Sequence, residues 1–299
     1  MKVPEALVRE LAVPPGGPAS LDARPTDRVR TRWLEHELGG RDLADRELEA
    51  FRAELAAAQE LLYAADRWAV LLVFQALDAG GKDGTIKHVL SGVNPQGCDV
   101  HTFKQPSVEE LRHDFLWRCA RAAPERGRLG IFNRSYYEEV LVVRVHPELL
   151  AAQHLPPTPA ERLWRQRYED INAFEHHLVR SGTQVVKFFL HVSKEEQRRR
   201  LLERLDDPAK QWKFAPGDLT EHQRYDEYRR VYEDALSATS TEWAPWYVVP
   251  ADRKHAMRAM VGGVIVDVVR RLHLRVPEPD AEQRRAIDRA RAALSAPGA

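Results

Sequence analysis

Five apolar runs, each followed by a stretch of helical periodicity, set the tightest limit on how this chain can fold. AVLLVFQAL (69–77) reads as a buried strand, and KDGTIKHVLSG (82–92) as a helix closed by glycine. CDVHTFK (98–104), LGIFN (129–133), TQVVKFFLHV (183–192) and PWYVVPA (245–251) read as four more strands. Helical spacing recurs in SVEELRHDFLWRCARAA (107–123), ERLWRQRYEDINAFEHHLVRSG (161–182), SKEEQRRRLLERL (193–205) and RKHAMRAMVGGVIVDVVRRL (253–272). Ser107 with Glu110, and Ser193 with Glu196, spell capping boxes. Continuous apolar strands alternating with amphipathic helices mean an α/β fold with a parallel sheet covered on both faces. Such sheets bind ligands at the carboxyl ends of their strands.

The flanks are simpler. Residues 1–30, rich in Pro, Gly and Arg, read as an irregular arm, and 31–67 as a long helix leading into the core. A single domain over 31–275 and a polar tail over 276–299 are expected. Lys plus Arg equals Asp plus Glu, 45 each, so no overall field draws the chain to nucleic acid and anion binding must be local. Two cysteines, Cys98 and Cys119, fit a reducing, cytoplasmic setting. The run VGGVIVDVVRRL is too short to span a bilayer and contains Asp267, so no membrane partner is expected.

The loop DAGGKDGT (78–85) joins the first strand to the first of these helices. Free N–H groups and a helix dipole face an arriving anion there, glycines admit it closely, and Lys82 adds charge. A tight turn that uses Gly80 and Gly81 for backbone reasons alone is the alternative. The spelling departs from the usual phosphate loop, because Ala76 replaces the first glycine and Asp83 follows the lysine where Ser or Thr would hold Mg²⁺. Asp78 is the better metal candidate, its alternative being a turn residue.

A second strand end carries Asn133-Arg134-Ser135-Tyr136-Tyr137-Glu138. Asn133 stands where related sheets put a metal-supporting acid, Arg134 offers a planar fork to phosphate, and Glu138 could restore the missing charge. Arg200 and Arg204 share one helical face, and Lys210, Trp212 and Lys213 lie in a segment (about 206–220) that reads as a lid. A solvated charged face is the alternative there. The histidines, His176-His177 included, show no metal-binding spacing and read as surface or packing residues.

Taken together, DAGGKDGTI (78–86), GVNPQG (92–97), FNRSYYEEVLVVRV (132–145), EQRRRLLER with DPAKQWK (196–213) and TEWAPWYVVPA (241–251) make the chain similar to the family 2 polyphosphate kinases, in order and over roughly residues 60–270. The resemblance implies a three-layer, P-loop kinase-like fold related to thymidylate kinase, with a five-stranded parallel sheet and a helical lid. It implies reversible, Mg²⁺-dependent phosphoryl transfer between inorganic polyphosphate and adenine nucleotides, with Mn²⁺ as a substitute metal, by a homo-oligomer (dimer or tetramer). It implies catalytic roles for Asp78, Lys82, Arg134 and Glu138, and metal contacts from Asp78, Asn133 and Glu138. Phosphate contacts would come from Gly80, Gly81, Lys82, Asp83, Gly84, Thr85, Arg134, Arg144, Arg200, Arg204, Lys210 and Lys213. Most of the family has Asp-Arg-Ser where this chain has Asn133-Arg134-Ser135, and Asn in place of Glu138. That exchange resembles the class III branch, associated with phosphorylating both AMP and ADP. An ATP-dependent nucleoside monophosphate kinase and a non-catalytic binding module are the competing readings.

Overall fold

In the computed structural model, which describes residues 5–28 and 41–295, the five apolar runs form one parallel sheet in the order β2-β3-β1-β4-β5. The strands are β1 (Ala69–Gln75), β2 (Cys98–Thr102), β3 (Leu129–Asn133), β4 (Thr183–His191) and β5 (Trp246–Pro250). Every residue of β1, β3 and β5 is buried, as continuous apolar runs require of strands covered on both faces. β2, the edge strand, is half exposed. Connections from β1 run to β2 on one side and, after β3, to β4 on the other, which makes β1 the switch point of the topology.

The helices are α1 (Glu5–Leu11), α2 (Arg41–Ala65), α3 (Lys82–Val89), α4 (Trp117–Arg121), α5 (Val142–Val145), α6 (Ala160–Arg180), α7 (Lys194–Asp206), α8 (Gly217–Gln223), α9 (Tyr225–Thr239), α10 (Lys254–Arg271) and α11 (Ala281–Leu294). α10 packs on α2, α3, β4 and β5, while α6 packs on β4 and α9. The first part of the helix expected over 31–67 lies outside the described residues, and the remainder is α2. Among the described residues no helix is long and apolar enough to cross a membrane. α11 is exposed along its whole length.

Three expectations need correction. The segment 107–123 is not one helix but a 3-10 turn, Glu110–Arg112, and the short α4. Its capping box forms, with Ser107 N donating to Glu110 Oε2 (2.6 Å) and Glu110 N to Ser107 Oγ (3.2 Å). His113 then turns extended, and Asp114 accepts from Leu116 N (2.9 Å), so a side chain competes with the helix. At Ser193 only half of a box exists: its Oγ accepts from Glu196 N (3.1 Å), but its own N–H donates to Asp252 (2.8 Å).

The N-terminal arm is the third. Its described part contains α1, whose Leu7, Val8 and Leu11 are buried in the main core. Val13 N donates to Trp246 O (2.8 Å), and Ala12 bridges antiparallel to Tyr247, so the arm covers the outer edge of β5. Arg24 pins it with bonds of 2.8 Å to each of the carbonyls of Glu10, Ala12 and Ala19. Leu11, 1% exposed, is therefore a core residue. Leu11→Ala should lower unfolding free energy in urea by about 2–5 kcal/mol. A loss below about 0.5 kcal/mol, the size of a surface substitution, would mean that the arm does not pack on β5.

Candidate active site

β1 and β3 end side by side, Phe74 lying opposite Asn133 in the register, so the loop after β1 and the turn after β3 leave the sheet together. The loop is tight: a Cβ on Gly80 would lie 2.7 Å from Ala76 Cβ and 2.8 Å from Leu77 O. Gly81 has φ +99°, a conformation glycine adopts without strain. Ala79 (φ 57°) and Arg134 (φ 63°) hold the same left-handed region without being glycine, one at each strand end. Strain of this kind, about 1–3 kcal/mol per residue, persists only where the surroundings fix the backbone, and it gathers at functional sites.

Between the two strand ends lies a cavity of about 150 Å³, lined by Asp78, Arg134, Glu138, Gln197, Glu221 and Tyr228 among others. Arg134 stands between two carboxylates, with Nη2 3.2 Å from Asp78 Oδ1 and Nη1 3.4 Å from Glu138 Oε2. Burial acts against its charge, but Glu138 and Asp78 outweigh it and raise the guanidinium pKa. Lys82, at the start of α3, donates from Nζ to Ala76 O (2.7 Å). Desolvation, helped by Arg134, lowers its pKa to about 8 against the opposing pull of Asp78, Glu138 and Asp83.

The structure thus brings Asp78, Lys82, Arg134 and Glu138 to one point. Asn133 and Asp83 meet each other beside it, Asn133 Nδ2 donating to Asp83 Oδ1 (2.7 Å). Other expected residues are engaged with protein partners. Thr85 is fully buried, and its hydroxyl donates to Gly81 O (2.9 Å), because a threonine in the first turn of a helix bonds back to the preceding carbonyl. Arg144 pairs with Asp234 (2.7 Å) on α9 and donates to Tyr168 OH (2.9 Å) on α6. Arg200 is buried and clamps backbone instead, donating to Ala79 O (3.1 Å) and to the carbonyls of Ala251 and Asp252. Arg204 pairs with Asp218 (2.8 Å) at the base of α8. Lys210, paired with Asp207 (2.7 Å), and Lys213, beside the Trp212 ring, are exposed in the segment expected as a lid.

Two glutamines complete the site, and the sequence did not mark either. Gln75, fully buried at the end of β1, donates to Glu138 Oε1 (3.0 Å). Gln197 on α7 donates to Asp78 O (2.9 Å) and bonds His222 Nδ1 (2.7 Å) on α8, which ties α8 to the loop. A polar residue closing an apolar strand was the one available signal for Gln75. A larger cavity, about 450 Å³, shares no lining residue with the first: Glu138 faces one and Glu139 the other. Its buried Glu139 lies 3.5 Å from Arg167 and 3.7 Å from Arg118.

Among the described residues no group of three or more His, Cys, Asp or Glu side chains is arranged to hold a metal ion. The Asp78–Glu138 pair could still serve Mg²⁺, which commonly takes one or two protein carboxylates and completes its shell with phosphate and water.

Comparison with known proteins identifies the family. The model of the family described as polyphosphate kinase 2 (PPK2) matches residues 40–276. An ADP-polyphosphate phosphotransferase of Rhodopseudomonas palustris is 54% identical over 231 residues, covering 77% of this chain and 80% of that protein. An AMP/ADP-polyphosphate phosphotransferase of Meiothermus ruber is 45% identical over 249 residues, covering 83% and 90%. The crystal structure of polyphosphate kinase 2 from Arthrobacter aurescens TC1 superposes with a TM-score of 0.85 at 38% identity, over 97% of both chains. An α/β, P-loop kinase-like sheet, a loop lysine and an arginine set between two carboxylates all lead to one assignment: this chain belongs to the polyphosphate kinase 2 family.

Proposed function

We propose that this chain is a polyphosphate-dependent nucleotide kinase that transfers a phosphoryl group from inorganic polyphosphate to AMP and to ADP. The observation that carries the reading is the convergence of Lys82, Arg134, Asp78 and Glu138 on the gap between two strand ends. Phosphoryl transfer asks little covalent chemistry of a protein; it needs alignment and neutralisation of charge. The attacking phosphate oxygen of AMP or ADP is anionic at neutral pH, so no strong base has to stand in the site.

Each residue has a task in this reading. Loop N–H groups at the start of α3 hold phosphate oxygens, with Gly80 and Gly81 allowing close approach. Lys82 turns from the Ala76 carbonyl to the transferring phosphate. Arg134 leaves its carboxylates for phosphate oxygens, on which its fork bonds in two places. Asp78 and Glu138, released from Arg134, suit Mg²⁺, which when bound neutralises charge on the phosphate oxygens. Gln75 keeps Glu138 aimed into the cavity. Lys210, Trp212 and Lys213 meet the polyphosphate chain as the lid closes over it. Names of relatives support both acceptors, one being called an ADP-polyphosphate and the other an AMP/ADP-polyphosphate phosphotransferase.

Incubation of AMP with Mg²⁺ and either polyphosphate or ATP, with separation of products, tests the donor; ADP formed only from ATP would overturn the reading. Lys82→Ala should remove turnover, by on the order of a thousandfold, while circular dichroism stays unchanged. Near-normal turnover in that variant would refute the role of the loop. Glu138→Asn should lower kcat/KM with AMP more than with ADP, and equal losses would exclude Glu138 from acceptor handling.

The pH dependence has a definite sign. Lys82 is charged below its pKa of about 8 and neutral above it. kcat/KM for polyphosphate reports the free enzyme, so it should decline as pH rises through about 8. Bound phosphate favours the charged lysine, so the decline in kcat should come at higher pH. Lys82→Arg, always charged, should lose the alkaline decline whatever its absolute rate. A kcat/KM profile that stays flat to about pH 9 in the unmodified enzyme would count against this assignment.

A further inference from the structure

β4 carries a lysine in the middle of an otherwise apolar strand, and Lys187 is completely buried there. Its ammonium has three protons and three acceptors: Glu175 Oε2 (2.6 Å), Thr239 O (2.7 Å) and Tyr137 OH (3.0 Å). The Tyr137 and Trp246 rings flank it at 5.5 and 5.2 Å. Glu175, equally buried on α6, accepts on its other oxygen from Tyr136 OH (2.8 Å) and Tyr137 OH (2.9 Å). Burial pushes both tyrosines well above the usual phenol range, so both remain protonated donors. Every hydrogen bond this cluster can make among its charged groups and hydroxyl donors is made.

Stability alone does not account for such a cluster. A buried ion pair can often be exchanged for apolar side chains of similar volume at no loss, or at a gain, in stability. A fully satisfied buried network does something else: it specifies one geometry. Here the geometry is that of the 3-10 turn Tyr136–Val140, which is separated from Arg134 only by its N-cap Ser135 and carries Glu138. Hydroxyls from two consecutive residues of that turn reach the same carboxylate oxygen, which fixes the position of the turn and its rotation together. A single short 3-10 turn lacks the hydrogen bonds to hold itself so firmly, and the residue just before Ser135, Arg134, sits at φ 63°.

We infer that Glu175 and Lys187 are positioning residues for the transfer reaction: through Tyr136 and Tyr137 they set where Arg134 and Glu138 stand. This rests on the function proposed above, in which those two side chains face the transferring phosphate. Neither member of the pair touches the cavity, and the pair acts only through the turn. β4, buried along all but one of its residues, and α6, which packs on β4 and α9, supply the pair and lend the turn the rigidity it lacks.

The test is a variant that replaces the whole cluster by apolar groups of similar shape: Tyr136→Phe, Tyr137→Phe, Glu175→Leu and Lys187→Met together. Melting temperature should hold or rise, while kcat falls at least about tenfold with KM for polyphosphate little changed. Hydrogen exchange of the backbone amides over 135–141 should speed up, with the strand amides still protected. Unchanged kcat, or unchanged exchange over the turn, would overturn the inference. Should the fourfold variant fail to fold, Tyr136→Phe alone removes one tether and keeps the ion pair; it should show the same two changes in smaller measure, and no change in either would overturn the inference equally. An unmodified enzyme without transferase activity refutes the proposed function instead, and the exchange measurement still decides whether the pair holds the turn.

Discussion

The register of β1 against β3 is the constraint from which the site follows. Phe74 and Asn133 lie opposite each other, and Arg134 N donates to Phe74 O (3.0 Å), so the two chains separate at the same level. A slip of one residue would exchange the side chains packed on the two faces of the sheet and would carry Arg134 away from Asp78. Core burial along both strands therefore enforces the meeting of the loop and the turn. No functional side chain has to supply that energy. Packing supplies it, and the site is left free to hold strained backbone at Ala79 and Arg134.

Overall neutrality, 45 positive against 45 negative residues, looks ill-suited to a polyanionic substrate until the pairs are traced. Arg134 leans on Asp78 and Glu138, Arg204 on Asp218, and Lys210 on Asp207. An exposed pair such as Lys210–Asp207 contributes about 0–1 kcal/mol, so exchanging its carboxylate for phosphate costs little. A polyphosphate chain offers one charge after another along the path, and the gains add while each displacement stays small. Acids displaced near the loop become available to a cation. Self-neutralisation at rest is thus compatible with anion binding in use.

The strands, the loop lysine and the two strand ends were legible because each has a local signature: apolar runs, glycines beside a lysine, a polar cluster after a strand. What escaped depends on partners distant in sequence. Arg200 and Arg204 look equivalent on a helical wheel, yet one is buried against the carbonyls of Ala79 and Ala251 and the other pairs with Asp218. Gln75 and Gln197 carry no motif at all, and only the fold gives them Glu138 and the Asp78 carbonyl. In 1–30, prolines and glycines outweighed a seven-residue helix held by packing in the core and along the edge of β5. In 107–123 the helical period was real, but Asp114 and the inward pull of Arg118 toward Lys104 O (2.8 Å) divided it.

Asn133 shows how one uncharged residue redistributes the chemistry. Its amide meets Asp83 at 2.7 Å, a distance at which a second carboxylate could not stand without a shared proton or a cation between the two. An aspartate there would make that contact depend on a bound metal. The amide lets the chain satisfy it alone, so Asp83 is held whether or not a cation is present. Asp78 and Glu138, the acids assigned to a cation in the proposed function, both reach Arg134. With Asp83 committed to Asn133, a glutamate at 138 keeps three carboxylates in the cavity, with Asp78 and Glu221, where an asparagine would leave two. Compared with an aspartate at 133 and an asparagine at 138, the pair Asn133 and Glu138 places negative charge on the wall that faces Asp78 in place of a position beside Asp83.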